Sequence, residues 1–275
     1  MRLLALLLGG LSLRAARRVG AFFGALLWLA RIRRRVALEN LQRALDIDAS
    51  DARRLLYQVY RQLGCAAVEF FRIPRLSGDD ARQLLGDDSL ARLEALRREG
   101  NGVLVLSAHL GNWDLLACAA ARAGLPVNVI TRTIKRRGIN DYWMRTRGSC
   151  GVQLLEAAGS ARRIVAALRR NELVAVVLDQ HDPDGVAVPF FGRLAATSAS
   201  LARLARLSGA PVLPAFLVRT DDGFRLELGE ALDVSRADDD IELATARFTA
   251  AIEQAVREHP EQWLWLHRRW KLPEP

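Results

Sequence analysis

The chain has 275 residues, enough for one large domain with a substantial core, and its 51% of hydrophobic residues exclude an intrinsically disordered protein. Its formal net charge of +9 favours negatively charged partners, such as phospholipid surfaces, phosphorylated substrates, acidic carrier proteins or nucleic acid. Three cysteines without a CxxC pair and four scattered histidines predict neither a disulfide framework nor a structural metal.

Two apolar runs, at 3–13 and 19–30, open the chain, and clusters of arginines separate and follow them. Each run is shorter than the roughly 20 residues that a membrane-spanning helix needs. A cleaved signal peptide is disfavoured because arginines crowd the region where cleavage would occur. The alternative is an ordinary core helix with a basic solvent face. The many bulky apolar groups between Phe22 and Trp28 favour a shallow membrane anchor over residues 1–30, whose arginines meet lipid phosphates.

Apolar residues at helical spacing predict helices throughout 31–100, with a cap in the SGDD loop at 77–80. From residue 102 the pattern changes to short apolar runs of the buried-strand type, separated by helical stretches. The expected strands are GVLVLS, PVNVI, VQLL, LVAVVL and PVLPAFLV, with FRLELG as an edge strand, and the expected helices are 112–123, 138–147, 160–170, 197–208 and 239–258.

This alternation of strands and helices predicts an α/β fold with a mostly parallel sheet flanked by helices. No internal repeat and no long linker divides the chain. We therefore expect an N-terminal membrane-anchoring helical segment at 1–30 and a single domain at 31–275. That domain would combine a helical part at 31–100 with an α/β core at 101–275.

The stretch SAHLGNWDLL places His109 in the turn between the first expected strand and a helix that begins at Asn112. In open α/β sheets, ligands bind at this carboxyl edge. Asp114, in the first helical turn, is positioned to fold back onto the imidazole and accept its Nδ1 proton, leaving Nε2 as a general base. Gly111 would allow a tight turn, and the helix N-terminus offers N–H groups to developing negative charge. The alternative is a core histidine beside a helix-start carboxylate.

The sequence contains no GxSxG motif, and no cysteine neighbours His109, so a covalent intermediate is not indicated. A His–Asp pair without its own nucleophile suits activation of a substrate hydroxyl that attacks an acyl donor directly. Two other classes stay open at this point. One is a hydrolase or thioesterase that activates water with the same pair, and the other is a non-catalytic membrane-binding protein with a packed His109.

The remaining motifs are less specific. VPFFG is equally consistent with core packing and with the lining of an acyl groove, and Thr197 is expected to cap a helix. DQHDPDG lacks the ligand spacing of a calcium loop. The tryptophans and basic residues of WLWLHRRWK suit a membrane interface better than single-stranded nucleic acid. We therefore expect no metal, no cofactor and no nucleic acid partner.

The HLGNWD box resembles the HxxxxD/E motif of the glycerolipid acyltransferase superfamily, and it is most similar to that of the lipid A late (lauroyl/myristoyl) acyltransferases. Four further segments resemble blocks of that family in the family's order, so the resemblance covers nearly the whole chain. The segment around His181 and Asp182 departs from the family's pattern, and the chain is somewhat short. The four segments are RRRVALENLQRAL at 33–45, TRTIKRRGIND at 131–141, the block at 178–216 that begins LDQHDPDGVAVPFFG, and WLWLHRRWK at 263–271.

The resemblance implies transfer of a fatty acyl chain from acyl carrier protein to a hydroxyl of a lipid A precursor, at the cytoplasmic face of the bacterial inner membrane. It implies that His109 is the general base and Asp114 its orienting carboxylate. Because related enzymes acylate other glycolipids or lysolipids, the acceptor stays open. The implied partners are acyl carrier protein, a lipid A precursor or related glycolipid, and an anionic membrane surface. The residues that it places at the substrate are Gly111, Asn112, Arg132, Asn140, Arg147, Asp179 and Gln180.

Overall fold

The computed structural model describes residues 2–131, 135–156, 159–234 and 240–271. Helices cover both faces of a six-stranded sheet, and a two-stranded ribbon packs against the last helix. The helices are α1 (Arg2–Gly9), α2 (Leu13–Leu29), α3 (Arg34–Leu45), α4 (Ala49–Phe70), α5 (Gly78–Leu85), α6 (Asp87–Arg98), α7 (Trp113–Arg122), α8 (Arg137–Ser149), α9 (Ala161–Arg169), α10 (Ser200–Ser208) and α11 (Ile241–Glu258). The strands are β1 (Val103–Ser107), β2 (Val127–Thr131), β3 (Gln153–Glu156), β4 (Leu173–Val177), β5 (Val186–Phe190), β6 (Arg193–Thr197), β7 (Val212–Arg219) and β8 (Phe224–Leu228).

The six-stranded sheet has the order β3-β2-β4-β1-β7-β8 and is parallel except for β8 at one edge. This confirms the predicted α/β fold with a mostly parallel sheet, and it confirms FRLELG as an edge strand. β1 lies between β4 and β7, and all five of its residues are buried. β1 and β4 pair in register up to Ser107 and Val177, so the segments that follow them leave the sheet side by side.

The alternation of side chains along the strands divides the core into two clusters. Leu104 and Leu106 of β1 face α3, α4 and the helices α9 to α11. Val103 and Val105 face the opposite way, toward α5, α6 and α7. Burial of these apolar side chains on both faces is what holds the helices to the sheet.

Two motifs fold differently from the expectation drawn from sequence. Thr197 ends β6 instead of capping a helix, because Arg269 and the backbone of the ribbon take its hydroxyl, and α10 begins later, at Ser200. The VPFFG motif enters the two-stranded ribbon formed by β5 and β6, which the sequence patterns did not predict. Phe190 and Phe191 are buried, so the core interpretation of VPFFG is correct and the groove interpretation is wrong.

The C-terminal segment is also buried where a membrane interface was expected. Trp263, Trp265 and Arg269 are each at most 1% exposed. The tryptophan rings pack on each other and on the phenylalanines of VPFFG, and the Arg269 guanidinium donates to the carbonyl of Ala196. These residues close the core, so the interfacial interpretation of WLWLHRRWK is wrong for them.

The amino-terminal helices pack directly on the domain. α2 crosses α4 where Gly20 and Gly24 face Gly64, at backbone-to-backbone distance. Within the described ranges, no helix is both long and apolar enough to cross a membrane. The membrane anchor at residues 1–30 stays a prediction. The domain boundary after residue 30 stays one as well. The exposed apolar side chains of this segment are Leu4, Leu6, Leu7, Phe22, Phe23, Leu26, Leu27 and Leu29.

The helix crossing predicts a strong effect for one added methyl group. A Cβ atom on Gly64 would lie 2.0 Å from the carbonyl oxygen of Gly20, so Gly64→Ala must push α2 away from α4. We expect it to lower the free energy of unfolding by about 1–3 kcal/mol, as overpacking does. In α8, Gly148→Ala is the matched control, because its Cβ would meet nothing within 4 Å. Urea unfolding would contradict the crossing if both variants kept the wild-type midpoint.

Candidate active site

His109 follows the carboxyl end of β1 and is hydrogen-bonded to Asp179, which follows the carboxyl end of β4. His109 Nδ1 lies 2.8 Å from Asp179 Oδ1, and the backbone N–H of His109 donates to Oδ2 at 2.8 Å. Trp263 Nε1 donates to the same Oδ2 at 2.7 Å. The Asp179 side chain is 2% exposed, whereas that of His109 is 22% exposed. One carboxylate therefore fixes both the backbone and the ring orientation of the histidine.

Strand register explains this pairing. Ser107 and Val177 are partners at the ends of β1 and β4, and His109 and Asp179 each come two residues later. The two side chains consequently leave the same sheet edge at the same level. The prediction that Asp114 accepts the Nδ1 proton is therefore wrong, and Asp179, expected at the substrate, occupies that position instead.

The hydrogen bonds of the Asp114 side chain are made to α8, not to the His109 ring. Its carboxylate accepts a hydrogen bond from Trp143 Nε1 at 2.9 Å and lies 2.7 Å from the Arg147 guanidinium. Arg147 also donates to Thr131 Oγ1 at 3.2 Å. Both members of the Asp114–Arg147 pair are largely buried, and the pair joins the start of α7 to α8 at the cavity that His109 also lines.

Charge and burial act against each other on the dyad. Burial lowers the pKa of His109, but the adjacent Asp179 carboxylate outweighs it, and the pKa stands above its ordinary value. Asp114 adds a smaller effect in the same direction. Burial likewise raises the pKa of Asp179, but the His109 ring and its hydrogen bonds outweigh it and lower that pKa. An ionised Asp179 holds the ring proton on Nδ1 and leaves Nε2 free to act as a base.

The turn that carries His109 is shaped by Gly111 and Asn112. Gly111 has φ of +63°, and a Cβ atom there would lie 2.1 Å from the carbonyl oxygen of Leu217, so this position requires glycine. Asn112 caps α7, accepting the N–H of Leu115 at 3.0 Å. Its amide donates to the buried carboxylate of Glu69 at 2.9 Å. Both residues, expected at the substrate, therefore make the contacts that build the turn.

Glu69 ties this turn to the amino-terminal helices. Its carboxylate accepts from Arg219 Nε of β7 at 2.8 Å and from Arg17 Nε of α2 at 3.2 Å. Arg17 extends further, to the carbonyl oxygens of Thr220 and Gly223 in the β7–β8 turn. Helices α2, α4 and α7 and strand β7 thus meet at a single buried anion.

A cavity of about 450 Å³ lies between α7 and the sheet, with His109 among its lining residues. Its polar residues cluster at the carboxyl edge of the sheet, where Gln180 is exposed. Its deeper wall is apolar, as expected for a site that holds a hydrocarbon group. The apolar lining residues include Leu93, Val105, Leu116, Ala117, Ala120, Val127, Val129, Leu173, Ala175, Leu226 and Leu228.

Comparison with known proteins identifies the family. Residues 3–272 match the model of the bacterial lipid A biosynthesis acyltransferase family. The chain belongs to this family. The resemblance drawn from HLGNWD and the four other segments is thereby confirmed.

The relatives of this chain are named for activity on more than one lipid. It is 27% identical over 246 residues to the lipid A biosynthesis palmitoleoyltransferase of Escherichia coli. The matched region covers 87% of this chain and 79% of the relative. It is 26% identical over 242 residues to the phosphatidylinositol mannoside acyltransferase of Mycobacterium tuberculosis, covering 84% and 75%. Over a shorter stretch of 113 residues it is 35% identical to the lipid A biosynthesis lauroyltransferase of Escherichia coli, covering 39% and 37%.

The other predicted site residues of this family member are distributed unevenly around His109. Gln180 lies beside the ring, with its Nε2 3.3 Å from His109 Nε2. Arg147 lines the cavity but is committed to Asp114. Asn140 is half-buried on α8 and is not one of the described residues that line the cavity. Arg132 lies outside the described residues.

Three residues that matter to the site were missed from sequence. Trp263 was assigned to a membrane interface, although it donates to Asp179. Glu69 lies one helical turn after Cys65 on the apolar, buried face of α4. A carboxylate at such a position is rarely buried without a partner, and this was the signal in the sequence that could have identified it. His267 accepts the backbone N–H of His181 at 3.0 Å through Nε2, and only its place in WLWLHRRWK hinted at a role.

The geometry predicts an order of pKa changes at His109. Asp179→Asn removes the largest influence that raises the pKa and leaves burial, so we expect the His109 pKa to fall below its ordinary value near 6.5. Asp114→Asn removes a smaller one and should lower that pKa less. NMR titration of the His109 ring in the two variants measures both shifts. An equal or larger fall in Asp114→Asn would contradict the Asp179 dyad.

Proposed function

We propose that this chain transfers a fatty acyl group from the thioester of acyl carrier protein to a hydroxyl of a lipid A precursor or a related glycolipid. His109 is the general base and Asp179 its orienting carboxylate. The observation that carries the proposal is the position of His109 Nε2 at an apolar cavity in a member of this acyltransferase family. Asp114 and Arg147 line the same cavity and are paired with each other.

Direct attack by the acceptor fits the surroundings of the base. Across the described ranges, no serine, threonine or cysteine side chain is hydrogen-bonded to His109. Ser107, the nearest hydroxyl along β1, donates to the carbonyl of Ala215. His109 Nε2 therefore takes its proton from the acceptor hydroxyl, whose oxygen attacks the thioester carbonyl carbon. The proton then passes to the departing thiolate.

The cavity gives the acyl chain a place to lie. Its apolar wall removes hydrocarbon from water, while its polar edge keeps the thioester carbon close to His109. Alanines on the α7 side, such as Ala117 and Ala120, leave room between the helix and the sheet. The acceptor then approaches from the carboxyl edge, where Gln180 is exposed.

Positive charge at the same edge supports anionic substrates. Lys135, Arg136 and Arg137 are exposed at the start of α8. An acidic carrier protein and a phosphorylated glycolipid headgroup are both attracted to such a cluster. The names of the lipid A and phosphatidylinositol mannoside relatives support a glycolipid acceptor.

The central test is transfer by the purified full-length chain from acyl carrier protein to a lipid A precursor, followed by mass spectrometry. We expect wild type to add one acyl chain. His109→Ala should lower the transfer rate by about 10²–10⁴, since it removes the base. His259→Ala removes a histidine that is paired with Glu227 of β8 and is not among the described residues that line the cavity. It is the matched control and should retain transfer.

The distribution of products decides between the open alternatives. Free fatty acid without acylated acceptor would contradict acyl transfer and favour a thioesterase. Lipid A of unchanged mass in cells that lack the protein would contradict the lipid A assignment, and acylation of another glycolipid would then identify the acceptor.

The amino-terminal segment fits an anionic membrane surface. Large apolar side chains of α2, such as Phe22 and Phe23, are exposed, and arginines flank the helix. Through Arg17, α2 contacts the β7–β8 turn, which lies at the same sheet edge as His109. A helix lying in the headgroup region would bring the site to its lipid acceptor. This supports a position at the cytoplasmic face of the bacterial inner membrane.

Vesicle binding tests this surface. Replacing Phe22 and Phe23 together by serine should weaken sedimentation with vesicles containing anionic phospholipid by at least about tenfold, because each buried phenylalanine contributes roughly 1.5–3 kcal/mol. Leu243→Ser, at an exposed leucine of α11, is the control and should bind as wild type does. Equal binding of both variants and wild type would contradict the proposed membrane face.

A further inference from the structure

The Gln180 carboxamide caps the catalytic base. Gln180 Nε2 lies 3.3 Å from His109 Nε2, and the residue is exposed at the edge of the cavity. Because Asp179 holds the ring proton on Nδ1, His109 Nε2 presents a lone pair, and a donor is what satisfies it. In the resting site, the Gln180 N–H is therefore hydrogen-bonded to His109 Nε2, the atom that the acceptor hydroxyl must reach.

Proton transfer reverses this contact. When His109 Nε2 takes the proton of the attacking hydroxyl, Nε2 becomes a donor. The protonated ring cannot accept the Gln180 N–H, so the displaced amide cannot return to Nε2 until the proton has left. The acceptor hydroxyl has by then displaced the amide from Nε2, so the amide is available when negative charge develops on the thioester carbonyl oxygen next to the same base.

The backbone on both sides of Gln180 is held while its side chain is exposed. Asp179 is fixed by His109 and Trp263. The N–H of His181 donates to His267 Nε2 at 3.0 Å, and burial lowers the pKa of His267 to about 4, so this ring is a neutral acceptor. The Gln180 side chain is consequently free to rotate without movement of its loop.

We propose that Gln180 is a catalytic residue whose carboxamide N–H, displaced from His109 Nε2, binds the carbonyl oxygen of the acyl thioester and stabilises the oxyanion. This inference rests on the proposed function, because that function supplies the thioester. The N–H groups at the start of α7 are the alternative donors, and the experiment below separates the two.

The step balances in protons and electrons. The acceptor oxygen bonds to the carbonyl carbon while its proton passes to His109 Nε2. The carbonyl π electrons move to the oxygen that the Gln180 N–H binds. When the tetrahedral intermediate collapses, the C–S bond breaks and the thiolate takes the proton from Nε2. The neutral base then accepts the Gln180 N–H again.

The experiment measures thiol release from an acyl-acyl carrier protein thioester by the full-length chain, with and without glycolipid acceptor. Gln180→Ala should lower kcat by about 10²–10³, the usual effect of losing one oxyanion donor, with KM little changed. Gln180→Glu keeps the shape but places a carboxylate at the oxyanion, and its kcat should fall at least as far. Gln153→Ala, at an exposed glutamine that begins β3, should keep the wild-type kcat.

Each outcome decides the inference. A kcat of Gln180→Ala within about threefold of wild type would overturn it and favour the α7 N–H groups as donors. A loss confined to KM would also overturn it, since it would reveal only substrate binding. If wild type released free fatty acid and never acylated the acceptor, the proposed function would fail, but thiol release would still test Gln180 because hydrolysis forms the same oxyanion. Thermal unfolding of each variant controls for misfolding.

Discussion

The need to satisfy a buried carboxylate organises the carboxyl edge of the sheet. Asp179 is almost wholly removed from water, and an unpaired charge there would cost several kcal/mol. Its oxygens are satisfied by the backbone and ring of His109 and by Trp263, which come from distant parts of the chain. The loops after β1 and β4 and the C-terminal segment therefore converge on one anion. The orientation of the His109 ring is a direct result of that convergence.

A second buried carboxylate plays the same part for the scaffold. Glu69 gathers Asn112, Arg219 and Arg17, and so joins the start of α7 to β7 and α2. Between them, the two anions fix both ends of the turn that begins at His109 and ends at Asn112. Because backbone contacts with Leu217 allow only glycine at position 111, the turn has little freedom left to move His109.

Local patterns were sufficient for much of the fold. Short apolar runs identified the strands of the six-stranded sheet, and period-3.6 hydrophobicity identified most helices. Together these patterns placed His109 at the carboxyl edge of the sheet. The partner of His109 was beyond them, because Asp179 is 70 residues away and meets it only through the adjacency of β4 and β1. Strand order is a property of the assembled sheet. Composition also gave the wrong location for Trp263 and Arg269, which were expected at a membrane interface. Aromatic and basic side chains can be buried in a core where hydrogen-bond acceptors are available to them.

The glycine-lined crossing of α2 and α4 bears on how this protein must be handled. Shortening the chain to residue 31 would leave an open trough along α4, with backbone atoms around Gly64 bared to solvent. It would also remove Arg17, one of the two arginines that hydrogen-bond to Glu69, and with it the contacts of Arg17 with the β7–β8 turn. The amino-terminal segment is therefore part of the packed structure and not a detachable tail. A fragment made without it would lack contacts that hold the rest of the domain together.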